Sequence, residues 1–151
     1  MKRILSLGLA FMLFITTYTG CGNPTGLLDG YYTAQAADFH YGWKEYITIM
    51  VKGGSIVSVE YNAENPSGFI KSWDNAYMQN MLHATGSYPN AYTRYYAGQL
   101  LEKQSENDID ALSGATSSYG SFQKLAAAAI EQAMRGDSSI AIIDTSDGSE
   151  E

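Results

Sequence analysis

The chain has 151 residues, 45% hydrophobic and 17% charged, with nine basic against sixteen acidic side chains and a net charge of −7. This length and composition fit one globular domain. The few basic residues form no cluster, which excludes a phosphate-backbone binder, so no nucleic-acid partner is expected. A single cysteine, Cys21, excludes an internal disulfide. Twelve tyrosines and two tryptophans supply amphipathic rings for a core and a binding surface.

Residues 1–20 have the build of a signal peptide: Lys2 and Arg3, a stretch from Ile4 to Tyr18 that is almost all apolar or small, then Thr19-Gly20-Cys21. The stretch is shorter than the roughly 18 apolar residues at which a membrane-spanning helix becomes the default. Gly20-Cys21 resembles the end of a bacterial lipoprotein signal, where a small residue precedes a cysteine that receives a diacylglyceryl group before cleavage. Tyr18 stands where that pattern usually has Leu. The resemblance implies lipidation of Cys21 and an extracytoplasmic domain held to the bacterial cell membrane by its lipid. Residues 21–28 would be the tether. The other reading is an ordinary secreted protein with a free or buried Cys21.

The folded domain is expected over residues 29–144. Tyr31 to Ala36 alternates and is rich in β-formers, which predicts a first strand. Tyr46-Ile47-Thr48-Ile49-Met50-Val51, within Trp43–Lys52, predicts a second, buried strand. Gly53-Gly54 supplies the positive-φ positions of a tight turn, and Ser55–Tyr61 then pairs back antiparallel. Residues 62–72 turn to Asn, Pro, Ser, Gly and Lys and read as loop. Asp74 is a plausible helix cap before Tyr77, Met78, Met81 and Leu82 at helical spacing, and Gly86 stops that helix.

A second helix is predicted from about Asn90 to Gln104, with Tyr92, Tyr96 and Leu100 on one face and Arg94, Glu102 and Lys103 solvated. The last and strongest helix carries Phe122, Leu125, Ala126, Ala129, Ile130 and Ala133 as one apolar stripe, which must lie on the sheet. Arg135 suits its carbonyl end and Gly136 ends it. Ile140–Ile143 predicts a final edge strand, and residues 145–151 an acidic, disordered tail. The fold class expected is α+β: a small antiparallel sheet with a hairpin, packed against helices.

Between the last two helices, Asp110-Ala111-Leu112-Ser113-Gly114-Ala115-Thr116-Ser117-Ser118 is a loop of small and hydroxyl residues at a helix amino terminus. Free N–H groups and the positive end of the helix dipole suit a phosphate there. The plainer reading makes Ser117 and Ser118 helix caps.

The same segment resembles the flavinylation motif of FMN-binding domains: Asp, two variable residues, Ser or Thr, Gly, Ala, Thr. Asp110, Ser113, Gly114, Ala115 and Thr116 match every specified position. That family includes the peripheral flavoprotein subunits of the sodium-pumping NADH:quinone reductase and of the RNF electron-transport complex, and many small extracytoplasmic lipoproteins. The resemblance runs from about Asp29 to Ile143. It implies that Thr116 carries FMN covalently through a phosphoester, attached by a flavin transferase that uses FAD and a divalent metal. Asp110 would belong to the transferase's recognition pattern. Ser113 and Gly114 would shape the loop, Gly114 and Ala115 would let the phosphate approach the backbone closely, and Ser117 counts with them among the FMN-binding residues. His40-Tyr41-Gly42-Trp43-Lys44 is similar to a segment of the small lipoprotein members, which singles out Trp43 over Trp73, Tyr88 and Tyr119 as a ring contact. His40 and His83 imply neither a metal site nor a catalytic dyad.

The function expected is electron transfer among membrane redox partners, by a carrier more than by a stand-alone enzyme, because no general acid, base or second nucleophile is evident. The alternative is a lipid-anchored binding module without flavin, using the tyrosine-rich stretch Tyr88–Tyr96 as its surface. A third reading, a terminal reductase, requires a pocket for a small acceptor.

Overall fold

The computed structural model describes residues 26–146, so the predicted signal peptide, Cys21 and residues 147–151 of the tail lie outside the described residues. Four strands, β1 (Gly30–Ala36), β2 (Lys44–Lys52), β3 (Ser55–Glu64) and β4 (Ala141–Ile143), form one sheet in the order β3-β2-β1-β4. Three α-helices, α1 (Asn75–Thr85), α2 (Pro89–Lys103) and α3 (Thr116–Arg135), complete an α+β fold.

The hairpin pairs as its local sequence dictates, with Lys52 opposite Ser55 across the glycine turn. Two features exceed what alternation predicts. The strand β3 runs on to Glu64, through residues whose composition reads as loop, because β2 offers partners as far as Lys44. A bulge between Met50 and Val51 leaves Val57 unpaired and 45% exposed, so Ile56 turns inward opposite Val51 while Tyr61 stays inward opposite Ile47.

The edge strand β4 pairs parallel to β1, Ala34 with Ala141 and Ala36 with Ile143, which makes the sheet mixed and corrects the antiparallel expectation. The cause lies in α3. Its carboxyl end meets the start of β1, where the Leu28 N–H donates to the Ala133 carbonyl, so the chain leaving α3 returns along β1 in the same direction.

Helices α2 and α3 cover one face of the sheet. Phe122, Leu125, Ala126, Ala129 and Ala133 are fully buried against Ala34, Ile47 and Ile49, with Tyr92, Tyr96 and Leu100 of α2 beside them. Each large apolar side chain so buried contributes roughly 1.5–3 kcal/mol. Leu27 joins this core, so packing starts two residues inside the stretch expected to be tether. The opposite face stays open, with Thr33 hydrogen-bonded to Thr48 at 2.9 Å and Tyr31 64% exposed. Unlike its neighbours, α1 has no buried residue.

Candidate functional site at the amino end of α3

The motif loop is held in place by one buried hydroxyl. Tyr96, at 0% exposure, accepts from the Leu112 N–H at 3.1 Å and donates to the Ala115 carbonyl at 3.1 Å. Sequence periodicity places Tyr96 in the core and gives no hint of this role. Gly114 adopts φ +78°, and a Cβ there would stand 2.3 Å from the Thr85 carbonyl oxygen at the end of α1. Only glycine meets both conditions. Ala115 is buried and its N–H closes a turn to the Leu112 carbonyl. Tyr119 completes the frame, donating to the Ile109 carbonyl at 2.6 Å.

The helix α3 then starts at Thr116, the last residue of the motif. Its N-cap is Ala115, which makes no side-chain capping bond, so the capping role considered for Ser117 and Ser118 is not the one they have. Thr116 is the first helical residue and Ser117 the second, both exposed, while Ser118 is buried. The first-turn N–H groups thus meet hydroxyl-bearing residues and no capping acceptor, the electrostatic setting that favours an anion. Asp110 and Ser113 are exposed on the outer side of the loop, with Asp110 3.8 Å from Lys103.

Beside this helix start lies a cavity of about 640 Å³, within the roughly 300–1,000 Å³ of small-molecule sites. It opens where β1 and β4 end and β2 begins, so the chain segments after Ala36 and Ile143 form part of its rim. Ser117, Ser118 and Ser121 bring the first turns of α3 to it. Aromatic side chains of Phe39, Tyr41, Trp43 and Tyr77 line its walls. A tight turn at Tyr41-Gly42, closed by reciprocal His40–Trp43 backbone bonds of 2.8 and 3.0 Å, fixes Trp43 there. Trp43 is 8% exposed and meets Tyr77 edge to face at 5.8 Å.

Of the four rings considered from sequence, only Trp43 lines this cavity. Trp73 is 67% exposed, meets Phe69 edge to face and lines a separate groove with Thr93 and Arg94. Tyr88 precedes α2 and Tyr119 is spent on the loop frame. The surface expected for the binding-module alternative is likewise largely absent, because Tyr92 and Tyr96 are buried in the core.

Two charged groups in the cavity escape sequence reading, because they come from separate elements. Glu45 of β2 accepts from the Tyr61 hydroxyl at 3.0 Å, and that hydroxyl also lies 3.0 Å from the Ser118 carbonyl of α3. Burial pushes the Glu45 carboxyl above its ordinary range, opposed by Ser121, Lys71, Tyr61 and His40. Lys71 sits in a short 3-10 turn (Lys71–Trp73), in the stretch read as loop, and is 9% exposed. Burial lowers its ammonium pKa, opposed by Glu45. Its Nζ rests over the Tyr77 ring, 5.0 Å from the centroid.

An aromatic cavity that holds one buried lysine, Lys71, beside the carboxylates of Asp38, Glu45 and Asp144, and that adjoins an uncapped helix amino terminus, defines a class: a domain able to hold a ring-bearing small molecule whose anionic end meets the helix. Residues 41–131 match the FMN-binding domain family, and the chain belongs to that family. It is 33% identical over 128 residues to the 15 kDa lipoprotein of Treponema pallidum (strain Nichols), covering 84% of this chain and 91% of that one. The crystal structure of the CPE2226 protein from Clostridium perfringens superposes with a TM-score of 0.75 at 35% identity, over 78% of this chain and 98% of that one. A Clostridium thermocellum protein solved by solution NMR is 30% identical, with a TM-score of 0.48 over 74% of this chain and 93% of that one.

The residues present fit FMN. The uncapped first turn of α3 suits its phosphate, and the walls of Phe39, Tyr41, Trp43 and Tyr77 suit a flat ring.

Proposed function

We propose that this protein is a lipid-anchored, extracytoplasmic flavoprotein whose FMN is covalently attached through its phosphate to the Thr116 hydroxyl, and that it carries electrons among membrane redox partners. The observation that carries the reading is the placement of Thr116. It is exposed, it opens α3 without a capping side chain, and it directly precedes two serines that line the aromatic cavity.

Attachment joins the Thr116 oxygen to phosphorus and breaks the pyrophosphate bond of FAD, with AMP leaving and the hydroxyl proton lost to a base. A threonine hydroxyl is a weak nucleophile at neutral pH. A flavin transferase with its divalent metal supplies that activation, and Asp110 and Ser113, exposed beside Thr116, are the side chains such an enzyme reaches. Bound FMN supplies one- and two-electron redox chemistry. The chain's own contribution is to hold the loop rigid through Tyr96 and Gly114, to favour the phosphate at the α3 terminus, and to offer rings to the flavin.

Lipid anchoring rests on Gly20-Cys21 and on the likeness to a protein named as a lipoprotein. No helix among the described residues is long and apolar enough to cross a membrane, and the anchor in this reading is the lipid on Cys21. The test is fractionation of the full chain, exported together with a transferase, beside its Cys21→Ala variant. The expected result is wild-type protein in the membrane fraction, variant protein in the soluble fraction, and yellow colour that stays with both chains through denaturation. A variant that stays in the membrane contradicts the anchor, and colour lost on denaturation contradicts covalent attachment.

A further inference from the structure

Lys71 is a cation with an unusual setting. It is nine-tenths buried, and among the described residues its ammonium makes no hydrogen bond and no direct ion pair, resting over the Tyr77 ring and within the field of Glu45. Both Lys71 and Glu45 line the cavity. Desolvation of a charge costs several kcal/mol, and the Tyr77 ring and the more distant Glu45 carboxylate give this ammonium no direct hydrogen-bonding anion. The arrangement makes sense if the partner of Lys71 is the cavity's occupant.

We propose that Lys71 and Glu45 form the charge-regulating pair of the flavin cavity: Lys71 favours negative charge delivered there, and Glu45 takes up the proton that compensates it. This inference rests on the flavin reading above. Each electron supplied by an external reductant lowers the charge of the cavity by one. One proton from solvent then converts the Glu45 carboxylate to its acid, and the charge is restored. Glu45 is placed for this exchange: it lines the cavity and accepts from the Tyr61 hydroxyl at 3.0 Å, and burial makes its carboxylate easier to protonate. The groups facing it are Lys71 before α1, His40 before β2, Tyr61 of β3, and Ser121 of α3, and the carboxylates of Asp38 after β1 and Asp144 after β4 line the same cavity. Tyr77 of α1 and Tyr92 of α2 also feel its charge, and burial raises both phenols further from ionisation.

The experiment uses the flavinylated domain with Glu45→Gln, whose amide oxygen keeps the Tyr61 bond, and Lys71→Met. Intact mass first establishes the flavin load of each. Redox titration with dithionite then gives the midpoint potential across pH. The expected result is a lower potential for Lys71→Met at every pH, and for Glu45→Gln a higher potential with loss of one pH-dependent segment. Unchanged potentials, or shifts of the same sign, overturn the proposal. A second readout needs no flavin: carboxyl-carbon NMR titration of Glu45 in a Thr116→Ala background. A pKa above the ordinary range that rises further in Lys71→Met supports the pair, and an ordinary, Lys71-independent titration overturns it. If wild-type protein carries no flavin, the attachment reading fails on the mass alone while the titration still decides the pair.

Discussion

Two helices flank the cavity, and they are held in opposite ways. The amino end of α3 is fastened by a fully buried stripe behind it, by the Tyr96 hydroxyl on the loop before it, and by the close approach of Gly114 to Thr85. Across the cavity, α1 buries no residue. It depends on its Asp74 cap, on Gly86 in the left-handed region, and on Tyr77, which touches Trp43 and Lys71. Few buried contacts mean a low local opening free energy. In the proposed reading, the wall that carries Thr116 is thus rigid, and the wall that would face the ring is soft. A covalent attachment gains from this division, because the tethered end needs a fixed geometry while the ring needs room to enter.

The contrast can be broken hardest at its fixed side. Gly114→Ala forces a side chain into positive φ and into the Thr85 carbonyl. The backbone cost alone is about 1–3 kcal/mol, so denaturant unfolding should show a clear loss of stability together with poor flavin incorporation. Tyr96→Phe deletes the hydroxyl that serves both Leu112 and Ala115: the Leu112 N–H loses this acceptor, while the Ala115 carbonyl keeps the Tyr119 N–H. A loss of about 1–3 kcal/mol is expected, with slower flavin transfer although Thr116 is intact. The soft side responds least. Asp74→Ala removes the 2.9 Å cap to the Tyr77 N–H and costs about 1 kcal/mol of helix stability. Hydrogen exchange should quicken across α1 while α3 stays protected. If exchange quickens equally in both helices, the two walls are one cooperative unit and the division fails.

What the sequence makes legible is what local chemistry decides. The glycine turn sets its hairpin without help from the rest of the chain, and the stripe of α3 declares its own buried face. The motif loop is legible as a pattern, and its glycine takes the positive φ that favours that residue. Pairing between distant segments is not written locally. The parallel docking of β4 depends on where α3 delivers the chain, and the inward turn of Ile56 depends on a bulge set by the facing strand. The cavity is hidden for the same reason. Glu45 reads as a polar residue at a strand start and Lys71 as part of a loop, and only folding sets them across one space. Tyr96 shows the limit most sharply, since a core position at helical spacing does not reveal that its hydroxyl fixes a loop nineteen residues away.

The central claim is that Thr116 is the attachment point of FMN. Intact mass spectrometry of the exported domain, produced with an active flavin transferase, tests it against the Thr116→Ala variant. The account predicts a wild-type chain heavier by one FMN less one water and a variant of unmodified mass with unchanged stability. An unmodified wild-type chain beside a flavinylated control substrate, or a variant that still gains the mass, contradicts it.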